Sequence, residues 1–468
     1  MSISPARAAA FEILLRIDTT DAYASEMLHS SRWTKVSPAD HGLLTELVMG
    51  VLRWRGVIDR HIAEHSTQPL AKLDREVLTA LRLGAYQLLF LDRVPTHAAV
   101  NESVELVKQA RKRSAAGMVN AVLRKIANGL HDRDDSSHPA WLVERWTRTY
   151  GAEVARKICD YSNSAPRQAV RISTLQSNGG TAAFGSERAE GPCATHINSD
   201  RAALDGLPGA AVPTFLRDEL RSDSIRLEPG NLLATAFIVT SGNITQTKAF
   251  GERRLFIQDE ASQLVALLVG KGDTILDCCA APGGKTRIMA EQNPESMVVA
   301  LELHPHRAAL LKKLVTGDNI RVIAADIRQP PLAQKFDRVL VDAPCSGTGT
   351  LARNPEIKWR LKAEDIPRLQ NYQMEILSAA MKHVATNGRL IYSTCSLEPE
   401  ENERVVETAL SAHPEFRLID SRNQLQQLKA DRELVLENVD SLLSGPYLRT
   451  IPGFHATDGF FAAILERK

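Results

Sequence analysis

Two cysteines in the C-terminal half of the chain lie where a reactive thiol would be useful. Cys345 is in VLVDAPCSGTG and Cys395 is in LIYSTCSLEPEEN, and each follows an apolar run that is typical of a strand. A lone cysteine is more often a small buried apolar residue, which is our interpretation of Cys159, Cys193 and Cys278. The polar Pro-Cys-Ser and Thr-Cys-Ser contexts suit core packing poorly, so Cys345 and Cys395 are predicted to do chemistry.

Methylation of a pyrimidine at carbon 5 is a reaction that needs a thiol beside a methyl donor. A thiolate that adds at C6 makes C5 enamine-like, so C5 can attack a sulfonium methyl, and loss of the C5 proton then expels the thiol. A carboxylate near N3 favours the adduct by sharing a proton, which suits Asp342. The second cysteine is predicted to assist release of the product, and these residues alone do not rank the two thiols. Amino-group methyltransferases typically carry an Asn/Asp-Pro-Pro-aromatic turn, whereas this chain has Asp-Ala-Pro-Cys.

The run TILDCCAAPGGKT predicts a strand, a glycine turn and a helix. Gly283 and Gly284 permit close backbone approach, and the helix N-terminus offers free N–H groups. The run matches neither the phosphate-binding Walker pattern nor GxGxxG. Asp277, Glu302 and Asp326 end three successive predicted strands, with Glu302 placed for ribose hydroxyls and Asp326 for an adenine edge. Each acid alone is more often a helix cap or a solvated residue, but together they favour S-adenosylmethionine over a nucleotide.

The elements that must position these residues form an alternating pattern of strands and helices. The predicted strands are DTILDCC, SMVVALEL, IRVIAAD, FDRVLVDAP and GRLIYSTC, separated by helices at Pro305–Thr316, Ala363–Ala385 and Pro399–Leu410. This is the sequence of a doubly wound α/β sheet, whose ligands bind beyond the carboxyl ends of its strands. Every residue to which we assign chemistry lies at such an end.

The first 130 residues predict helices only. The expected helices are Ala6–Ile17, Asp40–Ile62, Asp74–Leu91, Thr96–Ala110 and Gly117–Ala127. Residues 101–126 carry six basic side chains against Glu102 and Glu105, a net charge of +4; these are Lys108, Arg111, Lys112, Arg113, Arg124 and Lys125. Composition alone favours a solvated helix face over a phosphate-contacting surface.

A Trp-bearing helix and the strand-like run RQAVRIST predict a small mixed region before the α/β part. The segment around 177–200 is rich in Gly, Ser and Ala, and is interpreted as a flexible insertion. We therefore divide the chain into a helical domain at 1–135, a small α+β domain at 139–250 and a Rossmann-like catalytic domain at 251–468.

Composition sets the limits of these interpretations. The 468 residues suggest about three domains, and 44% apolar with 24% charged residues is ordinary for a globular protein. A net charge of +1 excludes a strongly basic tail but not a local basic patch. No apolar run approaches membrane-spanning length, and six cysteines without a CxxC spacing favour neither disulfides nor a metal site. We expect a cytoplasmic protein that is monomeric and has no membrane or metal partner.

Three motifs together, DCCAAPGGKT, DAPCSGTG and STCSLEPEEN, closely resemble those of the RNA cytosine-C5 methyltransferases of the NOL1/NOP2/Sun family. The helical region, with ALRLGAYQLLFLDRVPTHAAVNESVELVK, resembles a NusB-type RNA-binding domain. The pairing is similar to bacterial 16S ribosomal RNA methyltransferases of the RsmB/Sun type, and it covers nearly the whole chain. The middle domain is expected to be RRM-like.

The resemblance assigns roles to individual residues. Cys395 would be the nucleophile, Cys345 would help release the product, and Asp342 would act beside them. The residues that would bind S-adenosylmethionine are Cys279, Ala280, Ala281, Pro282, Gly283, Gly284, Lys285, Glu302, Asp326 and Asp342. Glu302 departs from the Asp usual in the family, which implies only a geometric adjustment.

The resemblance implies methylation of a cytosine in 16S ribosomal RNA, either free or in an early assembly state. It also makes phosphate contact the favoured interpretation of the basic stretch. The segment NPEIKWR, with Arg353 and Lys358, is expected either to line the RNA path or to be a surface loop. The alternatives are an RNA-binding assembly or antitermination factor with an inactive methyltransferase domain, and a small-molecule methyltransferase.

Overall fold

A computed structural model describes residues 3–28, 30–33, 37–129, 137–173, 214–315 and 317–468. The predicted insertion at 177–200, which includes Cys193, lies outside these ranges. The contacts divide the chain into two compact units: one comprises residues 1–166 together with 350–363, and the other comprises 167–349 and 364–468. The three-domain division stays a prediction, because one compact unit can contain more than one domain.

The first unit is helical, which confirms the expected class of the N-terminal region. Its helices are α1 (Pro5–Thr19), α2 (Ala24–Leu28), α3 (Pro38–Arg53), α4 (Arg55–His65), α5 (Arg75–Phe90), α6 (Thr96–Gln109), α7 (Ala116–Asn128), α8 (Ala140–Tyr150) and α9 (Ala152–Asn163). The apolar faces of α1 to α7 enclose one core, in which Ile13, Leu47, Leu81 and Leu123 are fully buried. The helical spacing of these residues therefore reflects real burial.

One predicted helix is wrong in its extent. The expected helix Asp40–Ile62 is divided at Trp54, which separates α3 from α4 with φ −102° and ψ 13°. The Trp54 ring stacks on Phe90 of α5 with the ring centroids 5.0 Å apart. The apolar spacing continues across the break, so periodicity alone could not reveal a turn that depends on this tertiary contact.

Residues 350–363, although they follow the Cys345 motif in sequence, pack within the helical unit. They include α15 (Ile357–Arg360), and Lys358 on this helix is 0% exposed. Its ammonium donates hydrogen bonds to Arg53 O (2.8 Å), Ser137 O (3.0 Å) and Asn163 Oδ1 (3.2 Å). Both expectations for Lys358 are therefore wrong, because a lysine with three buried acceptors neither lines an RNA path nor lies on a surface loop.

The second unit contains a small antiparallel sheet. Its elements are β1 (Gln168–Ile172), α10 (Thr214–Ser222), β2 (Arg226–Pro229), β3 (Ala236–Ser241), α11 (Lys248–Gly251) and β4 (Leu255–Ile257), with the strand order β2-β3-β1-β4. Glu260, which is 1% exposed, accepts the backbone N–H groups of residues 231–233, between β2 and β3. This buried carboxylate fixes the small sheet against the helix that Glu260 begins.

A larger mixed sheet forms the rest of the second unit. Its elements are α12 (Glu260–Leu268), β5 (Thr274–Asp277), α13 (Gly284–Gln292), β6 (Met297–Glu302), α14 (Pro305–Leu314), β7 (Ile320–Ala324), β8 (Phe336–Asp342), α16 (Asp365–Met381), β9 (Val384–Thr394), α17 (Glu403–Ala412), β10 (Phe416–Ile419), α18 (Ser421–Ala430), β11 (Leu443–Ser444), β12 (Tyr447–Thr450) and β13 (Phe460–Arg467). The parallel strands run in the order β7-β6-β5-β8-β9. This order confirms the doubly wound α/β class, with its switch point between β5 and β8.

The antiparallel end of this sheet was not predicted. Strand β13 pairs with β9, β10 and β12, and β12 pairs with β11. Phe461 and Leu465 on β13 are fully buried, so the run FFAAIL completes the core beside β9. No helix of the described ranges is both long and apolar enough to cross a membrane.

The buried ammonium of Lys358 predicts a pH-dependent stability. Burial lowers the pKa of Lys358 to about 7, whereas an unfolded lysine has a pKa of about 10.4. Between these values the unfolded chain binds one more proton than the folded chain, so the free energy of unfolding rises with pH. Between pH 7 and 9, the free energy of unfolding of the wild type should rise by about 1 kcal/mol per pH unit relative to that of Lys358→Met. Urea unfolding followed by tryptophan fluorescence measures both.

Lys362→Met is the matched control, since Lys362 is an exposed lysine of the same segment. It should keep the pH dependence of the wild type. Identical pH slopes for the wild type and Lys358→Met would contradict the lowered pKa.

Candidate active site

The switch point of the large sheet brings the predicted strand-end residues to one edge. Backbone hydrogen bonds continue past the strands: Cys278 N–H donates to Leu340 O, and Ala280 N–H donates to Leu301 O, both at 2.9 Å. Residues 325 and 343 continue the same edge, because their N–H groups donate to Glu302 O (3.0 Å) and Ser393 O (2.8 Å). Five neighbouring strand ends therefore form one continuous rim.

The glycine turn between β5 and α13 depends on a backbone conformation that favours glycine. Gly283 precedes α13 with φ +114°, in the left-handed region. A Cβ at Gly283 would lie 2.3 Å from Val315 Cγ2, and one at Gly284 would lie 2.7 Å from Gln258 Oε1. The packing therefore leaves no room for side chains here, and the N-terminus of α13 faces the rim.

A cavity of about 480 Å³ opens beside this turn. All the residues from Cys279 to Lys285 line it, so the predicted cofactor turn faces one space; the other lining residues are Phe250, Gly251, Arg253, Leu255, Phe256, Ile257, Gln258, Ser262, Asp277, Arg287, Leu314, Val315 and Asp342. Glu302, Asp326, Cys345 and Cys395 are not among them. The rim therefore carries more predicted functional groups than this one cavity includes.

Asp277 lies at the base of the cavity with 1% of its surface exposed. Burial, with a contribution from the charge of Asp342, raises the pKa of Asp277 to about 7. Thr286 Oγ1 donates to Asp277 Oδ2 at 2.7 Å, while Oδ1 is buried and accepts no hydrogen bond among the described residues. A buried acceptor of this kind fits the positively charged end of S-adenosylmethionine.

Glu302 ends β6 and is 4% exposed. One of its oxygens, Oε1, accepts the backbone N–H of His304 at 3.0 Å and lies 3.7 Å from Arg307 Nη1. These contacts hold the carboxylate at the rim through Oε1 alone. The arrangement fits the predicted contact of Glu302 with a ribose.

Asp326, beyond β7, is held more tightly than expected. Arg328 donates from Nε (3.0 Å) and Nη2 (2.7 Å) to Asp326 Oδ2, and this pairing lowers the pKa of Asp326. The guanidinium also lies 5.1 Å from the ring centroid of Tyr372 and pairs with Glu375 at 2.8 Å. The predicted contact with adenine therefore has to use the hydrogen-bond positions of the Asp326 carboxylate that Arg328 does not occupy.

Asp342, at the end of β8, is the centre of a charged group at the switch point. Its Oδ2 accepts a hydrogen bond from Lys285 Nζ at 2.6 Å, and its Oδ1 accepts one from Ser393 Oγ at 2.7 Å. The same ammonium lies 5.2 Å from the ring centroid of Phe460. Lys285 thus joins the glycine turn to the carboxylate predicted to act on the pyrimidine.

The two predicted reactive thiols are brought together. The Sγ atoms of Cys345 and Cys395 lie 3.4 Å apart, although the residues are fifty positions apart in sequence. The hydrogen bond with Cys395, reinforced by burial, raises the pKa of the Cys345 thiol well above its usual value. The raised pKa favours the protonated form of Cys345, although either sulfur atom can be the donor in this contact.

The other described cysteines also have raised thiol pKa values. Burial raises the pKa of Cys278 and Cys279 well above the usual thiol value, and it raises the pKa of Cys159 to about 11. Cys278 is buried, but Cys159 and Cys279 are only partly so. Cys278 therefore fits the interpretation as a small buried apolar residue, whereas Cys159 is only half-buried.

Sequence reasoning missed several residues that touch this site. Ser393 and Thr286 lie within the quoted motifs, and their hydroxyl groups were the available signal. Arg328 follows Asp326 by two residues, a spacing that permits a local ion pair. Phe460 belongs to a strand that was not predicted, so nothing local indicated its place beside Lys285.

Comparison with protein families gives three matches along the chain. Residues 264–466 match the family described as 16S rRNA methyltransferase RsmB/F. Residues 4–128 match the NusB family, and residues 138–182 match the ferredoxin-like domain described for RsmF/B-like methyltransferases.

Full-length relatives are similar from end to end. The probable ribosomal RNA small subunit methyltransferase B of Bacillus subtilis is 32% identical over 490 residues, covering 100% of both chains. The ribosomal RNA small subunit methyltransferase B of Vibrio cholerae is 30% identical, covering 99% of this chain and 97% of its own. The crystal structure of PH0851 has the same fold, with a TM-score of 0.77 at 24% identity and complete coverage of both chains.

The glycine turn predicts that cofactor binding is sensitive to one added carbon. Gly283→Ala requires alanine at φ +114° and places its Cβ 2.6 Å from Leu311 Cδ1. The strain should raise the dissociation constant for S-adenosylmethionine at least about tenfold, measured by isothermal titration calorimetry. Gly251→Ala is the control, because its Cβ would meet nothing within 4 Å although Gly251 lines the same cavity. Equal affinities for the two variants would show that the turn does not hold the cofactor.

Proposed function

The chain belongs to the RsmB/F family of 16S rRNA methyltransferases, and we propose that it methylates carbon 5 of a cytosine through a covalent bond from Cys395 to C6. The enzyme is an S-adenosylmethionine-dependent ribosomal RNA methyltransferase. The position methylated and the covalent route are the parts that we propose, together with the role of each site residue.

The observation that carries the proposal is the pair of thiols 3.4 Å apart beside Asp342. Methylation of an exocyclic amino group needs no thiol, whereas methylation of C5 needs a nucleophile at C6. Since the raised pKa of Cys345 favours its protonated form, Cys395 is the better candidate for the thiolate. The family resemblance of the sequence gives the two cysteines the same roles.

The proposed reaction begins when the Cys395 thiolate adds to C6 and negative charge develops on the ring. The proton shared by Lys285 and Asp342 is available to ring N3, which stabilises this charge. S-adenosylmethionine, when bound, supplies the methyl group as an electrophilic sulfonium, and C5 takes it. The donor's sulfur leaves as a neutral thioether. N3 then returns its proton to the Lys285–Asp342 pair, a solvent base takes the C5 proton, and the C6–S bond breaks so that Cys395 leaves as a thiolate.

Cys345 suits the release step. Its S–H group lies where it can donate to the departing Cys395 thiolate, which lowers the cost of breaking the C6–S bond. The same hydrogen bond is present in the described structure at 3.4 Å. Cys345 would therefore act on the product side of the reaction.

The rim residues are proposed to hold S-adenosylmethionine. The turn from Cys279 to Lys285, together with Asp342, would surround its methionine end, beside the orphaned Oδ1 of Asp277. Glu302 would accept hydrogen bonds from the ribose hydroxyls, and Asp326 would contact the adenine edge.

Ribosomal RNA is the substrate class, and the target base must leave its stack to reach Cys395. This requirement favours a single-stranded or loop region of the RNA. The basic residues Arg111, Arg113, Arg124 and Lys125 are exposed on the helical unit. Lys112 instead pairs with Asp74 at 3.0 Å, and Lys108 with Glu105 at 2.7 Å. Phosphate contact is therefore better assigned to the four exposed residues Arg111, Arg113, Arg124 and Lys125.

The proposal predicts a defined product and defined trapped species. Wild-type enzyme given labelled S-adenosylmethionine and unmodified 16S rRNA should produce 5-methylcytosine, mapped by bisulfite sequencing. Cys395→Ala should form neither product nor adduct, because no thiolate reaches C6. Cys345→Ala should accumulate a protein–RNA adduct that survives denaturing electrophoresis, because release is slowed.

Cys278→Ala is the control for loss of a thiol, since Cys278 is buried apart from the pair. It should keep the wild-type product and show no excess adduct. Label in RNA at a position other than C5 would refute the proposed chemistry. Label that is absent from RNA altogether would favour the alternative of an inactive assembly factor.

The basic surface predicts a change in the salt dependence of RNA binding. If Arg124 and Lys125 each contact a phosphate, replacing both with Gln should reduce the slope of log K against log salt by about 1.4. Filter binding to a 16S rRNA fragment between 50 and 200 mM salt measures this slope. Lys429→Gln with Arg432→Gln removes the same charge from an exposed part of the other unit and should leave the slope unchanged; equal slopes for both pairs would exclude the phosphate contacts.

A further inference from the structure

Glu401 is a buried carboxylate in the motif that follows Cys395, and the mechanism above leaves it without a role. It lies in the run LEPEEN and is 0% exposed. Its neighbour Glu400 pairs with Arg404 at 3.2 Å in the ordinary manner of a helical i,i+4 ion pair. Glu401 instead points inward, toward the loops that carry the two thiols.

The carboxylate of Glu401 joins these two loops through the residue that follows each cysteine. Oε1 accepts the backbone N–H of Ser346 at 2.9 Å. Oε2 accepts the hydroxyl groups of both Ser346 and Ser396. One side chain therefore holds the position after Cys345 and the position after Cys395 at the same time.

Other groups fix Glu401 itself. Gln373 Nε2 donates to Glu401 Oε1 at 2.8 Å and to Pro344 O at 2.9 Å. Tyr392, which is fully buried, donates its hydroxyl to Glu401 O at 2.7 Å. The carboxylate is therefore held from α16 as well as from the two loops, and the backbone of Glu401 is held from β9.

A second link lies on the far side of the thiols. Gly349 N–H donates to Cys395 O at 2.9 Å, and Leu397 N–H donates to Thr348 Oγ1 at 2.8 Å. A Cβ at Gly349 would lie 2.8 Å from Cys395 O, so the two loops approach too closely for a side chain at this position. This link holds the loops together, but it does not fix the turn of the chain just after each cysteine.

Burying the carboxylate of Glu401 costs free energy, which suggests that its position serves a purpose. Its hydrogen-bond partners are an amide side chain, two hydroxyls and a backbone N–H, and none of these is a cation. A buried carboxylate without a counter-ion loses hydration that neutral donors replace only in part. An apolar residue would fill the space at lower cost, but it could not hold four donors from three segments in one arrangement.

We infer that Glu401 is a positioning residue that sets the separation and orientation of the two thiols by holding Ser346 and Ser396. It touches neither substrate nor cofactor, and it acts only through the two loops. The significance of the thiol spacing for catalysis rests on the proposed function, whereas the spacing itself is a property of the protein alone. The two can therefore be tested separately.

Glu401→Gln is the informative substitution because it keeps the size of the side chain. The N–H groups of Ser346 and Gln373 hold the remaining oxygen at the Oε1 place, so the new NH₂ group faces two hydroxyls that now donate toward it. The hydroxyls must reverse, and the two loops should separate. A displacement of about 1 Å at a reacting group can reduce a rate about a hundredfold.

The first readout needs no RNA. The thiol oxidant diamide takes two electrons from the pair and joins Cys345 to Cys395 as a disulfide, which peptide mass spectrometry quantifies. Glu401→Gln should slow this step at least about tenfold relative to wild type. Glu400→Gln removes the neighbouring charge and should react at the wild-type rate.

The second readout is the adduct with RNA. Release should slow more than addition, so Glu401→Gln should accumulate denaturation-resistant adduct as Cys345→Ala does, with unchanged KM for RNA. Wild-type disulfide and adduct behaviour in a folded Glu401→Gln protein would overturn the inference. A Cys345→Ala enzyme that forms no RNA adduct would overturn the proposed function, whereas slowed disulfide formation in Glu401→Gln would still support the positioning role.

Ser346→Ala with Ser396→Ala covers the case in which Glu401→Gln does not fold. This double variant keeps the carboxylate and removes both hydroxyls that link the loops. It should slow disulfide formation in the same direction. A double variant that is folded by circular dichroism and oxidises at the wild-type rate would also refute the positioning role.

Discussion

The parallel pairing of β8 against β5 is the constraint on which the active site depends. It reverses the strand order at the middle of the sheet, so the connections after these two strands diverge and leave a crevice between them. The ion pair of Lys285 with Asp342 spans that crevice at 2.6 Å. The glycine turn, Glu302 and the thiol loops all follow from strands that are neighbours in this order.

Buried charged groups fix the irregular segments around the sheet. Glu260 holds the small antiparallel sheet, Lys358 holds the 350–363 segment within the helical unit, and Glu401 ties the two thiol loops. In each case several backbone or hydroxyl groups saturate the charge, which compensates for part of its lost hydration. Loops that contribute little apolar surface are thereby given one defined conformation.

Much of the fold could be predicted because its signals are local. The five parallel strands were identified from short apolar runs that end in polar residues, and the N-terminal helices from apolar spacing. The prediction failed where a long-range contact decides the outcome. The continuous helical pattern is divided at Trp54, whose ring stacks on Phe90, and β13 was not predicted although its apolar run resembles those of the parallel strands.

The sequence by itself determined the chemical groups of this protein and their order: two thiols, four strand-end acids and a glycine turn, each set within a local motif. Only the tertiary structure decided which groups meet. Cys345 and Cys395 lie 3.4 Å apart, and Lys358, which sequence reasoning expected near the surface, has three buried acceptors instead. The physical reason is that secondary structure depends on neighbours in the chain, whereas burial and hydrogen-bond partners depend on residues brought together from distant positions.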